Sequence, residues 1–223
     1  MKTRRVYYYS SSEHAVENLK NQRIKVSRFS QCNDVFELEA VDFSDRSTRE
    51  TVRKLMKKIN DEHGLVCLSR TWKSPIMWSH YADKHKGVCF AFDVNAEESF
   101  NVTYSSERFY PGITNENFFQ HVSENRMEEL FGTKSIEWAY EQEVRLMVPL
   151  EGKEPDCDGN FFFGFGGDLC LREVYLGQNS KLTIEDIEEV TQGMNVEVIP
   201  TRRAFRTFSV VKQKKKNLWP RRR

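Results

Sequence analysis

No apolar stretch among the 223 residues approaches the roughly 18 that a membrane helix needs. The opening Met1-Lys-Thr-Arg-Arg leads into Val6-Tyr-Tyr-Tyr without an apolar signal region, which predicts a cytoplasmic protein with no membrane partner. Cysteine is scarce. Cys32, Cys67, Cys89, Cys157 and Cys170 are odd in number and never fall in a Cys-x-x-Cys spacing, so a disulfide framework or a thiolate zinc site is not expected. Cys67 and Cys89 lie in apolar strand patterns and read as small buried thiols. Missing too are a Gly-x-Ser-x-Gly elbow, a Gly-x-x-x-x-Gly-Lys phosphate loop and a dinucleotide fingerprint. The glycines of Phe163-Gly-Phe-Gly-Gly167 read as a flexible strand end. His80 and His85 have no third clustered ligand, so no metal site is predicted.

What remains is a charged, aromatic-rich globular composition: 39% apolar, 30% charged and 13% aromatic residues. The net charge of +1 conceals an asymmetry. From Arg202 to Arg223 there are ten basic residues and no acid, leaving 24 basic and 33 acidic residues, a net of −9, in 1–201. Lys214, Lys215, Lys216 and Arg221 can neutralise phosphates, and Trp219 can stack on a base. The same run also fits a solvated tail that folds back on an acidic body. We therefore expect one α+β domain over 1–211 and a basic tail over 212–223.

Pattern and punctuation predict the elements. Val6 to Tyr9 and Ile24 to Ser27 read as strands, separated by a helix capped by Ser11 or Ser12 with Ala15, Val16 and Leu19 on one face. Ser47 and Glu50 form a capping box that opens a helix to about Glu62, with Val52, Leu55, Met56 and Ile59 as its buried stripe and His63-Gly64 as its stop. Leu65 to Ser69 is a strand, Pro75 starts a short helix, and Val88 to Val94 alternates as a strand. Further strands are expected at Val102 to Tyr104, Glu141 to Val148, Phe161 to Phe165, Arg172 to Leu176, Val196 to Ile199 and Phe205 to Val211. Helices are expected at Glu116 to Phe131 and Ile184 to Met194. The irregular order predicts a mixed, mainly antiparallel sheet.

Two constellations can carry chemistry. The block Trp72 to Asp93 holds Trp72, Trp78, His80, Tyr81 and His85, two of the four tryptophans and two of the five histidines. Every indole N–H, phenol and imidazole there needs a partner when buried, so the block is either a polar-networked core or a pocket wall. Trp78 and Tyr81 share a helical face, and His85 joins them if the helix continues. The second is Tyr140-Glu-Gln-Glu-Val-Arg145. On a strand, Glu141, Glu143 and Arg145 point to one side; Arg145 would hold a neighbouring carboxylate ionised. A solvent-facing cross-strand ion pair is the alternative. Asn33-Asp34 reads as an Asx turn or as a pocket mouth.

These blocks resemble a bacterial and phage domain-of-unknown-function family, number 2971. Its Tyr-x-Tyr strand corresponds to Tyr7 to Tyr9, its Asn-Asp-Pro-Phe-Glu turn to Asn33 to Glu37, and its Cys-Phe-Ser strand to Cys67 to Ser69. Its Met-Trp-x-x-Tyr-x-x-x-His-x-Gly-Val segment corresponds to Met77 to Val88, and its Tyr-Glu-x-Glu-x-Arg strand to Tyr140 to Arg145. Val35 and Leu68 replace a family proline and phenylalanine. The family is in turn distantly similar to the ADP-ribosyltransferase-like superfamily, whose split-sheet fold and NAD chemistry the resemblance implies. By it, Glu143 is the catalytic carboxylate and Glu141 orients the acceptor. Arg5 or one of Tyr7, Tyr8 and Tyr9 contacts NAD, and Ser69 and Tyr81 line the nicotinamide pocket.

The expectation is thus an NAD-dependent ADP-ribosyltransferase, a glycosyltransferase acting as a toxin or phage-conflict effector on a nucleic-acid or protein acceptor. NAD would be its substrate. Trp78, Asn33, Asp34 and Arg145 join the NAD-contacting set. One alternative is a nucleic-acid-binding or -processing protein with Glu141, Glu143 and His85 as hydrolytic residues. Another is a non-enzymatic interaction module with an antitoxin or other protein partner.

Overall fold

The structure is a computed structural model that describes 2–221 except 38, 41, 43, 45 and 109–130, and of 47, 48, 51 and 216 the backbone alone. The chain crosses four times between two compact units. Met1–Ile24, Leu68–Glu97 and Gly164–Arg223 make the first; Lys25–Cys67 and Glu98–Phe163 make the second.

In the first unit, strand β1 (Thr3–Ser10) is followed by helix α1 (Ser12–Lys20), whose cap Ser11 accepts from the His14 N–H. Ala15 and Leu19 are buried on its inner face, as their spacing predicts. The short strand β2 (Arg23–Val26) leads on into the second unit. There lie helix α2 (Arg46–Glu62) and strand β3 (His63–Ser69), whose last two residues return to the first unit. Ser74 caps helix α3 (Pro75–Tyr81), an interaction worth about 1 kcal/mol. Strand β4 (Val88–Asn95) pairs antiparallel with all of β1, from Thr3 opposite Asn95 to Ser10 opposite Val88.

Strands β5 (Ser99–Asn101), β6 (Thr103–Ser105), β7 (Thr133–Ser135), β8 (Glu143–Pro149) and β9 (Phe161–Gly164) follow. The chain closes with β10 (Cys170–Leu176), helix α4 (Ile184–Val190), β11 (Glu197–Arg203) and β12 (Val210–Lys212). The first unit's strand order is β12-β11-β10-β4-β1, with Ser69 of β3 opposite Tyr7. Only β10 and β11 run parallel in it; α1 packs on α4 and α4 on β11. In the second unit the order is β3-β8-β5, beside the small pairs β2-β9 and β6-β7. Phe29, Ile59, Leu65 and Phe131 form its core. The protein is therefore α+β with a mixed, mainly antiparallel sheet. Among the described residues no helix is long and apolar enough to cross a membrane.

Several local expectations are corrected. Helix α2 begins at Arg46, and Glu50 pairs with the Arg46 side chain at 3.5 Å, so Ser47 lies inside the first turn. His63 and Gly64 start β3 instead of stopping α2. A Cβ on Gly64 would lie 2.5 Å from Val26 Cγ1, so the glycine serves close strand packing. Strand β4 is buried continuously from Val88 to Phe92, because it has neighbours on both edges and cover on both faces. A strand at Ser99–Asn101 was not expected. Phe205 to Ser209 is a loop, and only Val210–Lys212 extends as strand. Helix α4 stops at Val190, four residues early. The helix expected at 116–131 lies outside the described residues except for its last residue.

Candidate functional site

The Glu-x-Glu-x-Arg run does not form one strand. Ile136–Glu141 is a 3-10 helix closed by Gln142 in the left-handed conformation (φ 45°, ψ 50°), and β8 starts only at Glu143. Glu143 and Arg145 do share a strand face, as period two requires; Glu141 reaches the same place from the helix. All three are buried, so the solvent-facing ion pair is excluded.

They build a five-member ionic cluster within the second unit. Arg145, with no exposed surface, donates Nη1 and Nη2 to both oxygens of Glu37 at 2.6 and 3.0 Å. It donates Nε and Nη2 to both oxygens of Glu143 at 2.8 and 3.1 Å, and a further Nη1 bond goes to the Phe131 carbonyl. Lys134 Nζ donates to Glu141 Oε2 at 2.7 Å and to Glu143 Oε2 at 3.3 Å, and lies 4.7 Å from the Trp138 ring centre. The Glu143 backbone N–H donates to the Tyr104 hydroxyl at 2.7 Å. Lys134, Glu37 and Tyr104 had not been expected here. Lys134 sits in no recognisable motif, and only Glu37 carried a signal, as the end of the Asn33–Glu37 block.

Burial pushes the Glu143 carboxyl up, but the Arg145 guanidinium and Lys134 ammonium overcome it and hold the group below the usual carboxylate range. Glu37 has the opposite balance. Burial, with the neighbouring Glu143 charge, raises it more than Arg145 and Lys134 lower it. Burial pushes the Tyr104 phenol up to about 12. Three carboxylates face two cations, an excess of acid. Because the folded-state value of Glu143 is depressed, its stabilisation is complete above the unfolded value of about 4.3 and is lost as pH falls through the lower folded value. Glu37 contributes with the opposite sign. Urea midpoints at neutral and acid pH should accordingly fall less steeply for Glu143→Gln than for the parent; equal slopes would remove Glu143 as the acid-sensitive group.

Beside the cluster lies a cavity of about 540 Å³, walled by Phe29, Cys32, Asp34, Glu37, Arg53 and Asn60 among others. That volume falls within the roughly 300–1,000 Å³ of small-molecule pockets. Asp34 is 5% exposed; its Oδ1 accepts from the Phe36 N–H, while Oδ2 is buried with no protein partner. Asn33 precedes it on the loop but is not one of the cavity walls. Glu143 is not a wall either; Arg145, bonded to both, links it to the wall residue Glu37.

The remaining predicted residues are in the first unit. Trp78 is fully buried and donates its indole N–H to the Trp72 carbonyl at 2.6 Å. The Tyr9 hydroxyl donates to the Thr71 carbonyl at 2.9 Å, and Ser69 Oγ accepts from the Thr71 N–H at 3.2 Å. These three polar tips thus brace the loop from Ser69 to Lys73. Tyr8 is half-buried and stacks on Phe90. Arg5 is exposed and bonded to Asp93 at 2.7 Å and to Glu173 at 2.9 Å. Helix α3 ends at Tyr81, and Asp83, Lys84 and His85 are left-handed (φ 43°, 53° and 67°), so Tyr81 and His85 do not share a helical face. The His85 ring instead lies parallel to Trp78 and within 3.3 Å of Ser79 Oγ, and burial lowers its pKa. None of Trp78, Tyr81 and Glu143 lines the cavity above. Among the described residues no group of His, Cys, Asp or Glu could hold a metal ion.

The tail is tied down. Trp219 donates its indole N–H to the Gln213 carbonyl at 2.8 Å, and the Pro220 carbonyl accepts from Ile184. Lys214, Lys215 and Arg221 are exposed; the Lys216 side chain lies outside the described residues.

An α+β protein with a buried Glu–Lys–Arg cluster and an adjoining cavity is the class that fold and site define. Residues 77–146, from Met77 in α3 to Leu146 just beyond Arg145, match the family model described as Protein of unknown function (DUF2971). No curated protein and no solved structure matches the chain.

Proposed function

We propose that the protein is an NAD-dependent ADP-ribosyltransferase in which Glu143 is the charge-stabilising carboxylate. The observation that carries this reading is Glu143 itself, kept ionised inside the protein by Arg145 and Lys134. NAD supplies a nicotinamide–ribose bond whose cleavage develops positive charge on the ribose. A fixed anion in a water-poor setting stabilises that charge without reorganising. Arg145 orients the carboxylate through two bonds. The 3.3 Å bond from Lys134 is longer than the two from Arg145 and is the one a ribose hydroxyl would replace. Glu141, held by Lys134, is the group assigned to the acceptor. Cys67 of β3 also helps to hold the Glu143 carboxyl down. The residues present fit a polyhydroxylated ligand, because Asp34 Oδ2 offers a buried, unused acceptor to a hydroxyl or amide donor.

Thermal shift with NAD and turnover of NAD in cell extract test the reading. We expect NAD to raise the melting temperature and Glu143→Gln to abolish turnover while the folded variant still binds. Asp34→Asn keeps the Oδ1 turn bond and is expected to weaken NAD binding about ten-fold, since a bond to a charged group is removed. A parent protein with neither a shift nor turnover ends the proposal. The near-complete burial of Glu143 favours a purely structural cluster as the second reading; under it, Glu143→Gln lowers stability and NAD does nothing to either protein.

A further inference from the structure

A second concavity, in the first unit, has the opposite charge. It encloses about 560 Å³ beside the hairpin of β11 and β12. Trp72 and Lys73 form one bank. The other is the loop between the paired Arg203 and Val210, closed by the Ala204 N–H bonded to the Ser209 carbonyl. The Val210 N–H donates to the Lys73 carbonyl at 2.9 Å, so the two banks are tied together. Five walls are cationic, Lys73, Arg202, Arg206, Lys212 and Lys214, and none is acidic. Lys212 is partly neutralised by Glu173 at 3.4 Å.

Two of the cationic walls lie against rings that are walls too: Arg202 is 4.4 Å from the Phe205 ring centre and Lys73 5.9 Å from that of Trp72. Phe205 is 90% and Phe208 100% exposed. Two phenylalanines held in water on a six-residue loop contribute nothing to the core, so Phe208 and the face of Phe205 away from Arg202 are available to a partner. Beyond Lys214 the basic track continues through exposed Lys215.

We propose that this groove binds single-stranded nucleic acid, its phosphates on Arg206, Lys73 and Lys214 and a base stacked on Phe205. Charge complementarity and interleaved aromatic faces are what a flexible polyanion with π-faces requires. A concave track tied at both banks fits a chain better than it fits a lipid surface. The inference stands apart from the transferase reading, since no residue of the Glu143 cluster lies in the groove and NAD has no part in its readout.

The test is fluorescence anisotropy of the full chain with labelled single-stranded RNA and DNA oligonucleotides of about 12 nucleotides, in the range of known single-strand site sizes. The RNA and DNA arms decide which strand is preferred. Affinity should fall with salt. Arg206→Ala should weaken it and reduce the salt slope by about 1, whereas Phe205→Ala should weaken it about ten-fold with the slope unchanged, as loss of stacking predicts. Both side chains are exposed, so both variants should melt with the parent. Absent binding at low salt overturns the proposal. So does binding that both substitutions leave unchanged, duplex bound more tightly than single strand, or phosphatidylserine vesicles bound in place of the oligonucleotides.

Discussion

Arg145→Met is expected to lower the unfolding free energy by about 3–5 kcal/mol, the effect of removing one partner from a buried ion pair. The methionine fills much of the same volume, so little of the loss is cavity. Most of it is charge. Glu143 would retain Lys134, but Glu37 would keep no described cation within salt-bridge distance while remaining 4% exposed in its side chain. The Phe131 carbonyl would also lose its donor. Urea denaturation of the parent, Arg145→Met, Glu37→Leu and the double variant separates the terms. A coupling of about 1–3 kcal/mol, with the double variant more stable than Arg145→Met alone, is expected from residues in one network. Additive losses would show that Glu37 does not depend on Arg145.

Gly87→Ala should be the most damaging single-methyl change outside that cluster, at about 3 kcal/mol, the upper part of the overpacking range. A Cβ at Gly87 would stand 2.0 Å from the Ser10 carbonyl oxygen, and one at Gly177 would stand 2.3 Å from that of His85. Three backbone segments cross here: the end of β1, the left-handed turn of Asp83 to His85, and the chain just after β10. The Gly177 N–H donates to the Gly87 carbonyl and the Asn179 N–H to that of His85, so the turn cannot relax without giving up those bonds. A carbonyl oxygen is not the end of a side chain and has no rotamer to change. A melting temperature within a degree or two of the parent would refute the crossing.

Local pattern carried much of the fold. The stripe Val52, Leu55, Met56 and Ile59, the Ser11 and Pro75 starts and the paired runs at 3–10 and 88–95 are decided by neighbours within a few turns of chain. Where the reading failed, a distant partner was the cause. Gly64 looks like a helix stop until Val26 is seen against it. Val88 to Phe92 looks half-exposed until the side chains on both of its faces are found buried. Phe205 and Phe208 look like strand residues, yet their rings lie in water.

The candidate site divides in the same way. The motif from Tyr140 to Arg145 marked Glu141, Glu143 and Arg145, but it said nothing of Lys134 or Glu37. Ion pairing ranges over 108 residues here, and no periodicity encodes it. The sequence alone determined the charge asymmetry, the α+β mixture of elements and the residue types able to do chemistry, because these depend on composition and local spacing. The tertiary structure alone decided that Trp78 is core and Trp72 a groove wall, that Glu143 is an ionised interior group, and that Asp34 keeps an unused acceptor beside a cavity. Burial and hydrogen-bond satisfaction belong to the whole packing around an atom, and no stretch of sequence specifies them.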